Sequence, residues 1–405
     1  MNARALVEVI ESWFEPLRPI LDQDDSLDWR RLKILATTLD EAVQSYLLTT
    51  ELTSGPERSR ALQEIRSELA LRGMLDTTGQ PMVFAALAQF LCGYRDIDLR
   101  DAFGLGHGVL IDRYGKPRAR QRWVPQLLAG QLAGIAITES HGGSNPAATR
   151  TTATAATDGT WLVTGRKTWI SRLAEAAVFI VFFRAPDGTM AAATIDATSP
   201  RLHRHPIEPA GLAGWAWGVL DLDAVVVRPE DVLCGEGMAM LRQHFARYRP
   251  LVTSTALGGA AALFDEVTES LAARLATPAI TRLRDSALVT VGRSHVQLVT
   301  ALLGAIAAGQ LAETAHPDTE RWGAATKAHG IDIANQTAAD LALLVGAEGF
   351  RAHGRLAKIR RDLSGLLYAD GIHDSLYRAA GKQHTAMRKE TTTPARASGP
   401  LLESL

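Results

Sequence analysis

Hydroxyls, an indole and a glycine-rich loop fall close together in residues 134–171, where they could hold a flat cofactor. A short apolar strand ends at Thr138, and a second strand ends at Trp169 and Ser171. Residues 149–165 form two short β-rich runs around a tight turn, which predicts a hairpin that brings the strand ends together. Such a surface suits a planar, hydrogen-bonding ring that carries phosphate. A flavin meets that description.

The composition narrows the kinds of partner that the chain would bind. Its 405 residues include 43 Lys and Arg against 44 Asp and Glu, a net charge of -1, so neither nucleic acid nor a membrane surface is expected. Its two cysteines, Cys92 and Cys234, lie far apart and outside any Cys/His cluster. No disulfide framework and no metal site are therefore expected. The N-terminus lacks an uninterrupted apolar core, which predicts a soluble, cytoplasmic protein.

Hydrophobic spacing divides the chain into three structured parts and a tail. Apolar residues at steps of three and four predict helices throughout residues 1–129, where His107 is expected to be structural. Residues 130–237 read as strands separated by turns and predict a β domain. Long Ala- and Leu-rich stretches over 238–390 predict a helical bundle. Residues 391–405 carry Pro, Thr and Ser without a period and are predicted to be a loose tail.

Three motifs in the central part agree in order and separation with one protein family. They are Thr138-Glu139, Gly143-Ser144 and residues 165–171, and a Trp-x-Pro-x-Leu segment precedes them at 123–127. This part of the sequence resembles the middle domain of the acyl-CoA dehydrogenase family. The resemblance implies a mainly α fold with an N-terminal helical domain, a middle β-barrel or sandwich domain and a C-terminal four-helix bundle. It also implies FAD as cofactor and a homodimer or homotetramer.

The resemblance further assigns roles to individual residues. Thr138 and Ser171 would bond the flavin ring, Trp169 would pack on it, and Ser144 would contact phosphate or the pantetheine arm of the substrate. The residues implied to bind the cofactor are Ile137, Thr138, Ser144, Trp169, Ser171, Arg274, Gly346 and Ile372. Those implied to bind the substrate are Ser144, Arg249 and Gly371.

The position of the catalytic base departs from the family pattern. In the family, an Arg-Asp pair is followed eight residues later by a Glu that removes the α-proton of the substrate. Counting from Arg361-Asp362 places Asp370 on that Glu and Ile372 on a following Thr. An aspartate keeps the required carboxylate, and apolar neighbours would raise its pKa to a useful value. Asp370 is therefore predicted as the base, with a surface role at a helix end as the alternative.

Three further positions also differ from the family. Ala246 stands where relatives carry an Asp that helps to hold the pantetheine arm, while Arg249 is retained. Trp215 and Trp217 replace Arg and small polar residues, and they either shape an acyl pocket or pack under the β domain. The loss of the Asp at position 246 weakens the case for ordinary CoA and leaves room for a carrier-protein thioester or a smaller substrate.

The sequence thus favours FAD-dependent α,β-dehydrogenation of an acyl thioester, bound to CoA or to an acyl carrier protein. The electron acceptor would be an electron-transfer flavoprotein or oxygen. Two alternatives stay open. A flavin-dependent oxidase or monooxygenase of the same fold would act on a nitro, amino or carrier-bound substrate, as Asp370 and Ala246 would permit. A non-catalytic family member would explain the missing family residues around the cofactor.

Overall fold

The computed structural model describes residues 4–46, 54–142, 145–278 and 282–392. Its first part is helical, as the hydrophobic spacing predicts. The helices are α1 (Leu6–Val9), α2 (Arg18–Leu21), α3 (Trp29–Ser45), α4 (Gly55–Leu71), α5 (Met82–Arg95), α6 (Val109–Tyr114) and α7 (Pro117–Leu128). Helix α3 begins where the Asp28 carboxylate accepts a hydrogen bond from the Arg31 backbone N–H at 2.8 Å.

The central part forms a mixed seven-stranded sheet. Its strands are β1 (Leu132–Ala136), β2 (Thr152–Ala155), β3 (Trp161–Ser171), β4 (Ala176–Arg184), β5 (Met190–Asp196), β6 (Leu202–Ile207) and β7 (Trp217–Val227). They are ordered β1-β4-β2-β3-β7-β6, with β5 paired to β4. The predicted hairpin is present, because β2 and β3 pair antiparallel with Thr152 opposite Thr164. Alternate side chains of β4 enter separate apolar clusters, so that strand is covered on both faces.

The last part is again helical. Its helices are α8 (Gly237–Leu275), α9 (Asp285–Glu313), α10 (Thr319–Ala342), α11 (Arg355–Leu366) and α12 (His373–Thr392), with a 3₁₀ segment at Leu343–Phe350. Helices α8, α9 and α10 pack on one another and α12 packs on α10, which confirms the predicted mainly α fold with a central β domain. Helix α12 extends two residues into the predicted tail, and residues 393–405 lie outside the described residues.

Glycines let helix α5 of the first part lie directly against α8 of the last. A Cβ added to Gly93 would come within 1.9 Å of the Thr255 carbonyl oxygen, and one added to Gly258 within 2.0 Å of the Phe90 carbonyl oxygen. Neither position accepts a side chain unless a backbone moves. This contact fixes α8 relative to the N-terminal helices.

A buried set of charges joins the N-terminal helices to α11. The Arg58 guanidinium lies 2.5 Å from the Asp96 carboxylate, and the Lys358 ammonium lies 2.8 Å from it. Asp362 pairs with Lys358 and accepts a hydrogen bond from the Leu212 backbone N–H of the β domain at 2.7 Å. These ion pairs and this hydrogen bond tie all three parts of the chain to helix α11.

One described helix, α9, is long and apolar enough by length and composition to cross a membrane. Its buried residues, among them Leu298, Leu302 and Ile306, belong to the main apolar core. A core helix of a globular protein shows the same pattern. Helix α9 is therefore weak evidence for a membrane span.

Candidate functional site

The two strand ends that the sequence predicts to be neighbours lie together. The Thr168 backbone N–H donates to the Thr138 carbonyl at 2.9 Å, which joins the segment after β1 to the end of β3. Trp169 has a left-handed φ of 58°, and 53% of its surface is exposed. Its ring centroid lies 6.5 Å from that of Trp217, roughly edge to face. An exposed indole in a strained backbone conformation offers a flat apolar surface to a ligand.

The two tryptophans whose role the sequence leaves open differ in the structure. Trp215 is buried, and its indole N–H donates to the Asp98 carbonyl at 2.7 Å. Trp217 is half-buried, and its indole N–H donates to the Leu212 carbonyl at 2.7 Å. Trp215 is therefore a packing residue, whereas Trp217 forms part of the surface around Trp169.

Glu139, the residue after Thr138, has a fully bonded carboxylate. This side chain is 6% exposed and accepts hydrogen bonds from the Lys167 ammonium at 2.8 Å and from the Thr149 and Thr151 hydroxyls at 2.5 and 2.6 Å. Burial acts to raise the pKa of Glu139, but these hydrogen bonds outweigh it and hold that pKa well below its usual value. The Glu139–Lys167 pair ties the segment after β1 to β3.

Arg172 directly follows Ser171 and is a site residue that the sequence patterns do not reveal. It is buried; its Nη1 donates to the Ser171 hydroxyl oxygen at 3.1 Å, and its Nη2 pairs with Asp101. In the described part of the chain, the Ser171 hydroxyl donates to no acceptor. Its proton is thus available to a ligand, because the guanidinium already uses the oxygen as an acceptor.

Asp370 lies in the turn between α11 and α12. Its φ is 56° and that of Gly371 is 112°, so two consecutive residues are left-handed. The Arg249 Nε of α8 donates to the Asp370 carbonyl at 3.1 Å, which brings these three predicted site residues together. Within the described ranges, the Asp370 carboxylate has no hydrogen-bond or ion-pair partner. A half-buried, unbonded carboxylate is available for proton transfer.

Positive charge surrounds this carboxylate. Burial raises the pKa of Asp370, and the cations nearby act against that rise. The cations that act on Asp370 lie in a largely buried region, where positive charge would stabilise negative charge on a ligand. Arg100 is 6% exposed, and its Nη1 has no hydrogen-bond partner among the described residues. The cations that act on Asp370 are Lys327, Arg100 and Arg172, and Asp370 in turn acts on Arg249.

His107 lies beside this region in a buried cluster of rings. Its Nδ1 is 2.9 Å from His244 Nε2, and its ring centroid is 4.5 Å from that of Tyr248. Burial lowers the pKa of both histidines, to about 3 for His244, so both are neutral at ordinary pH. These contacts agree with the structural role expected of His107.

The remaining predicted cofactor residues lie in three places. Arg274 donates to two backbone carbonyls of the 3₁₀ segment after α10, next to Gly346 with its left-handed φ of 68°. Ile137 is half-buried before Thr138, and Ile372 is half-buried just before α12. Ser144 lies outside the described residues. The predicted site residues therefore form groups at the strand ends, at the Asp370 turn and at the 3₁₀ segment.

The sequence of the β domain matches one family model. Residues 134–225 match the family model described as acyl-CoA dehydrogenase, middle domain. The β domain of this chain is thus similar to the middle domain of acyl-CoA dehydrogenases. A probable short/branched chain specific acyl-CoA dehydrogenase of Dictyostelium discoideum is 28% identical over 162 residues, which are 38% of this chain and 39% of that protein. The match thus spans about two fifths of the length of this curated relative.

Solved structures match nearly the whole chain at low identity. The glutaryl-CoA dehydrogenase from Mycobacterium smegmatis, solved in complex with FADH2, has 21% identity and a TM-score of 0.76, and the match covers 91% of this chain and 97% of that one. The prolyl acyl carrier protein oxidase AnaB has 18% identity and a TM-score of 0.73, with 88% and 99% covered. These matches establish the shared fold.

Proposed function

We propose that this protein is an FAD-dependent dehydrogenase of an acyl thioester, with Asp370 as the base. The observation that carries the proposal is the unbonded Asp370 carboxylate in a cation-rich, largely buried region. Arg172, which bonds Ser171, lies within electrostatic range of Asp370. This link through Arg172 supports a single site that contains both the base and the strand ends.

The strand ends suit the flavin ring that the family fold implies. Trp169 offers an exposed aromatic face, and Ser171 offers a hydroxyl proton without an acceptor. These residues would hold the ring together with Thr138, Ile137 and Ile372. When bound, FAD supplies the acceptor for a hydride. By the family resemblance, Arg274 would reach the FAD of a neighbouring subunit, and Gly346 would lie by the adenosine and phosphate end of the cofactor.

The residues of the Asp370 region would perform the proton chemistry. Asp370 takes the α-proton of the acyl chain, and the electrons of that C–H bond form the new double bond as the β-carbon loses a hydride. The thioester oxygen gains negative charge in this step, and the surrounding cations would stabilise it. The raised pKa of Asp370 makes its carboxylate a stronger base than an exposed aspartate.

Anaerobic reduction of the FAD-loaded protein tests this function. Purified protein is reconstituted with FAD and titrated with acyl thioesters of different chain lengths, and the absorbance of the oxidised flavin is followed. We expect one class of thioester to bleach the flavin and to yield the 2,3-unsaturated product. A protein that cannot be reconstituted with FAD would contradict the proposal.

The surroundings of Ala246 favour a second candidate, in which the acyl group is carried by a protein or oxygen is the acceptor. Ala246 is buried, and Gly323 of α10 packs on it so closely that a Cβ there would lie 2.8 Å from the Ala246 carbonyl oxygen. This position therefore offers no accessible polar group to a pantetheine arm. The same acyl group is offered on CoA and on a carrier protein, and oxygen uptake by the reduced protein is measured.

Faster reduction of the flavin by the carrier-bound acyl group than by the acyl-CoA would indicate a carrier-protein substrate. Rapid oxygen uptake with formation of peroxide or a hydroxylated product would indicate an oxidase or monooxygenase. Slow oxygen uptake would instead favour an electron-transfer flavoprotein as acceptor. We further propose a cytoplasmic homodimer or homotetramer, because the family resemblance implies assembly through the bundle.

A further inference from the structure

Lys327, in the middle of α10, bonds both ends of the turn that carries Asp370. It is fully buried, and its Nζ donates to the Leu366 carbonyl at 2.8 Å and to the Gly371 carbonyl at 2.7 Å. Leu366 is the last residue of α11, and Gly371 follows Asp370. One ammonium group therefore spans the turn from its first residue to its last.

The backbone of this turn requires support from outside. A non-glycine residue in the left-handed region is strained, and Asp370 has that conformation. The last carbonyls of α11 also lack partners within their own helix, and a cation is favourable there. Lys327 satisfies the final carbonyl of α11 and, through Gly371, holds the far side of Asp370.

Lys327 also acts on Asp370 through its charge. It does not bond the carboxylate, yet of all nearby charges it opposes the rise in the pKa of Asp370 most strongly. Burial lowers the pKa of Lys327 to about 8, and the charge of Asp370 acts against that fall. The other groups that face Asp370 are Arg249 and Tyr248 of α8, Arg100 and Asp101 of the segment after α5, and Arg172 after β3. Asp332 and Arg249 are the other charged groups that face Lys327.

We propose that Lys327 is a positioning residue for the base: it fixes the Asp370 turn through two carbonyls, and its charge keeps the carboxylate ionised. This role rests on the proposed function, since it requires Asp370 to act as a base. It differs from simple capping of α11, which would stabilise the fold without affecting the ionisation of Asp370.

Asn335 provides a matched control on the same helix. Its Nδ2 donates to the Leu363 carbonyl at 3.0 Å, so it also caps the end of α11, but it carries no charge and does not reach the turn. Removing this amide should weaken the packing of α11 on α10. It should leave the ionisation of Asp370 unchanged.

The pH profile of kcat/KM in the FAD-loaded protein separates the two roles. Lys327→Gln keeps hydrogen-bond donors and removes the charge, Lys327→Met removes both, and Lys327→Arg keeps both. We call the rise of kcat/KM with pH on the acidic side of this profile the acidic limb. For Lys327→Gln we expect the acidic limb to move to higher pH by on the order of one unit, with ~10-fold lower kcat/KM on the acidic side. Lys327→Arg should leave the limb near its wild-type position. Asn335→Ala should lower Tm without moving the limb.

An acidic limb that stays in place in both Lys327→Gln and Lys327→Met would overturn the proposal, as would an equal shift in Asn335→Ala. If the wild-type holoprotein oxidises no thioester, the proposed function fails before any variant is compared. Hydrogen exchange at residues 367–371 then still tests the positioning role. Faster exchange there in Lys327→Met than in Asn335→Ala would support it, and equal exchange would contradict it.

Discussion

Two carboxylates of the site, Glu139 and Asp370, have opposite surroundings. Glu139 is fully bonded by Lys167 and two threonines, and its pKa is held low. The Asp370 carboxylate has no hydrogen-bond or ion-pair partner in the described part of the chain, and its pKa is raised. The difference shows that neighbouring hydrogen bonds, more than burial itself, decide whether a buried acid supports the fold or remains available for chemistry.

The largest effect is expected when the unbonded acid is neutralised. Asp370→Asn should lower kcat by about 10²–10⁴-fold, because the base is lost. The same variant should be slightly more stable at neutral pH. The pKa of Asp370 is higher in the folded than in the unfolded protein. Its ionisation therefore lowers the stability as pH rises from the unfolded pKa of about 3.9 to the folded pKa, and asparagine removes this loss.

Stopped-flow reduction of the flavin and thermal melts at pH 7 check both expectations for Asp370→Asn. Unchanged reduction would show that the carboxylate is not the base and would favour a non-catalytic member of the family. A lower Tm at pH 7 would contradict the predicted cost of ionisation.

Neutralising the bonded acid should have its main effect on stability. Glu139→Gln leaves the buried Lys167 ammonium unpaired and should cost about 3–5 kcal/mol at neutral pH. The pKa of Glu139 is lowered by folding, so its contribution is present above the unfolded pKa of about 4.3 and is lost as pH falls below it. Wild type and variant should therefore converge in stability at acidic pH.

Arg166→Met is the control for Glu139→Gln. Arg166 precedes Lys167, but its pairing with Asp221 is largely exposed at 3.5 Å, so its loss should cost less than about 1 kcal/mol. Urea unfolding of the three proteins between pH 3 and pH 8 makes the comparison. If the two variants lost equal free energy of unfolding, the buried Glu139–Lys167 pair would contribute no more to stability than the exposed Arg166–Asp221 pair.

The strand-end group was predictable from sequence because it depends on local pairing. The spacing of residues 149–165 predicts a hairpin, and the second strand of that hairpin continues to Thr168, whose N–H bonds the Thr138 carbonyl beside Trp169. Arg172 gave no such signal, since an arginine after a strand is ordinarily solvent-exposed and only the tertiary fold places Asp101 beside it.

Lys327 did carry a signal that the sequence analysis overlooked. It lies on the same face of α10 as the buried residues Ala324, Ala328 and Ile331, and a lysine within an apolar stripe is unusual. The pattern shows that such a lysine is buried. It does not show what the ammonium bonds, because the Leu366 and Gly371 carbonyls come from a segment some forty residues further along the chain.

The smallest effect is expected at the strand ends that Glu139 supports. Trp169→Ala removes a side chain that is half exposed, so the apoprotein should keep its stability, whereas FAD should bind about 5-fold more weakly through the loss of ~1 kcal/mol of ring contact. Trp322→Ala, at an exposed tryptophan of α10, is the control and should leave FAD affinity unchanged. Titration of each apoprotein with FAD, followed by quenching of flavin fluorescence, measures the affinities. Equal affinity in the two variants would place the ring elsewhere, whereas a selective loss in Trp169→Ala would place it against the strand ends that the Glu139–Lys167 pair joins.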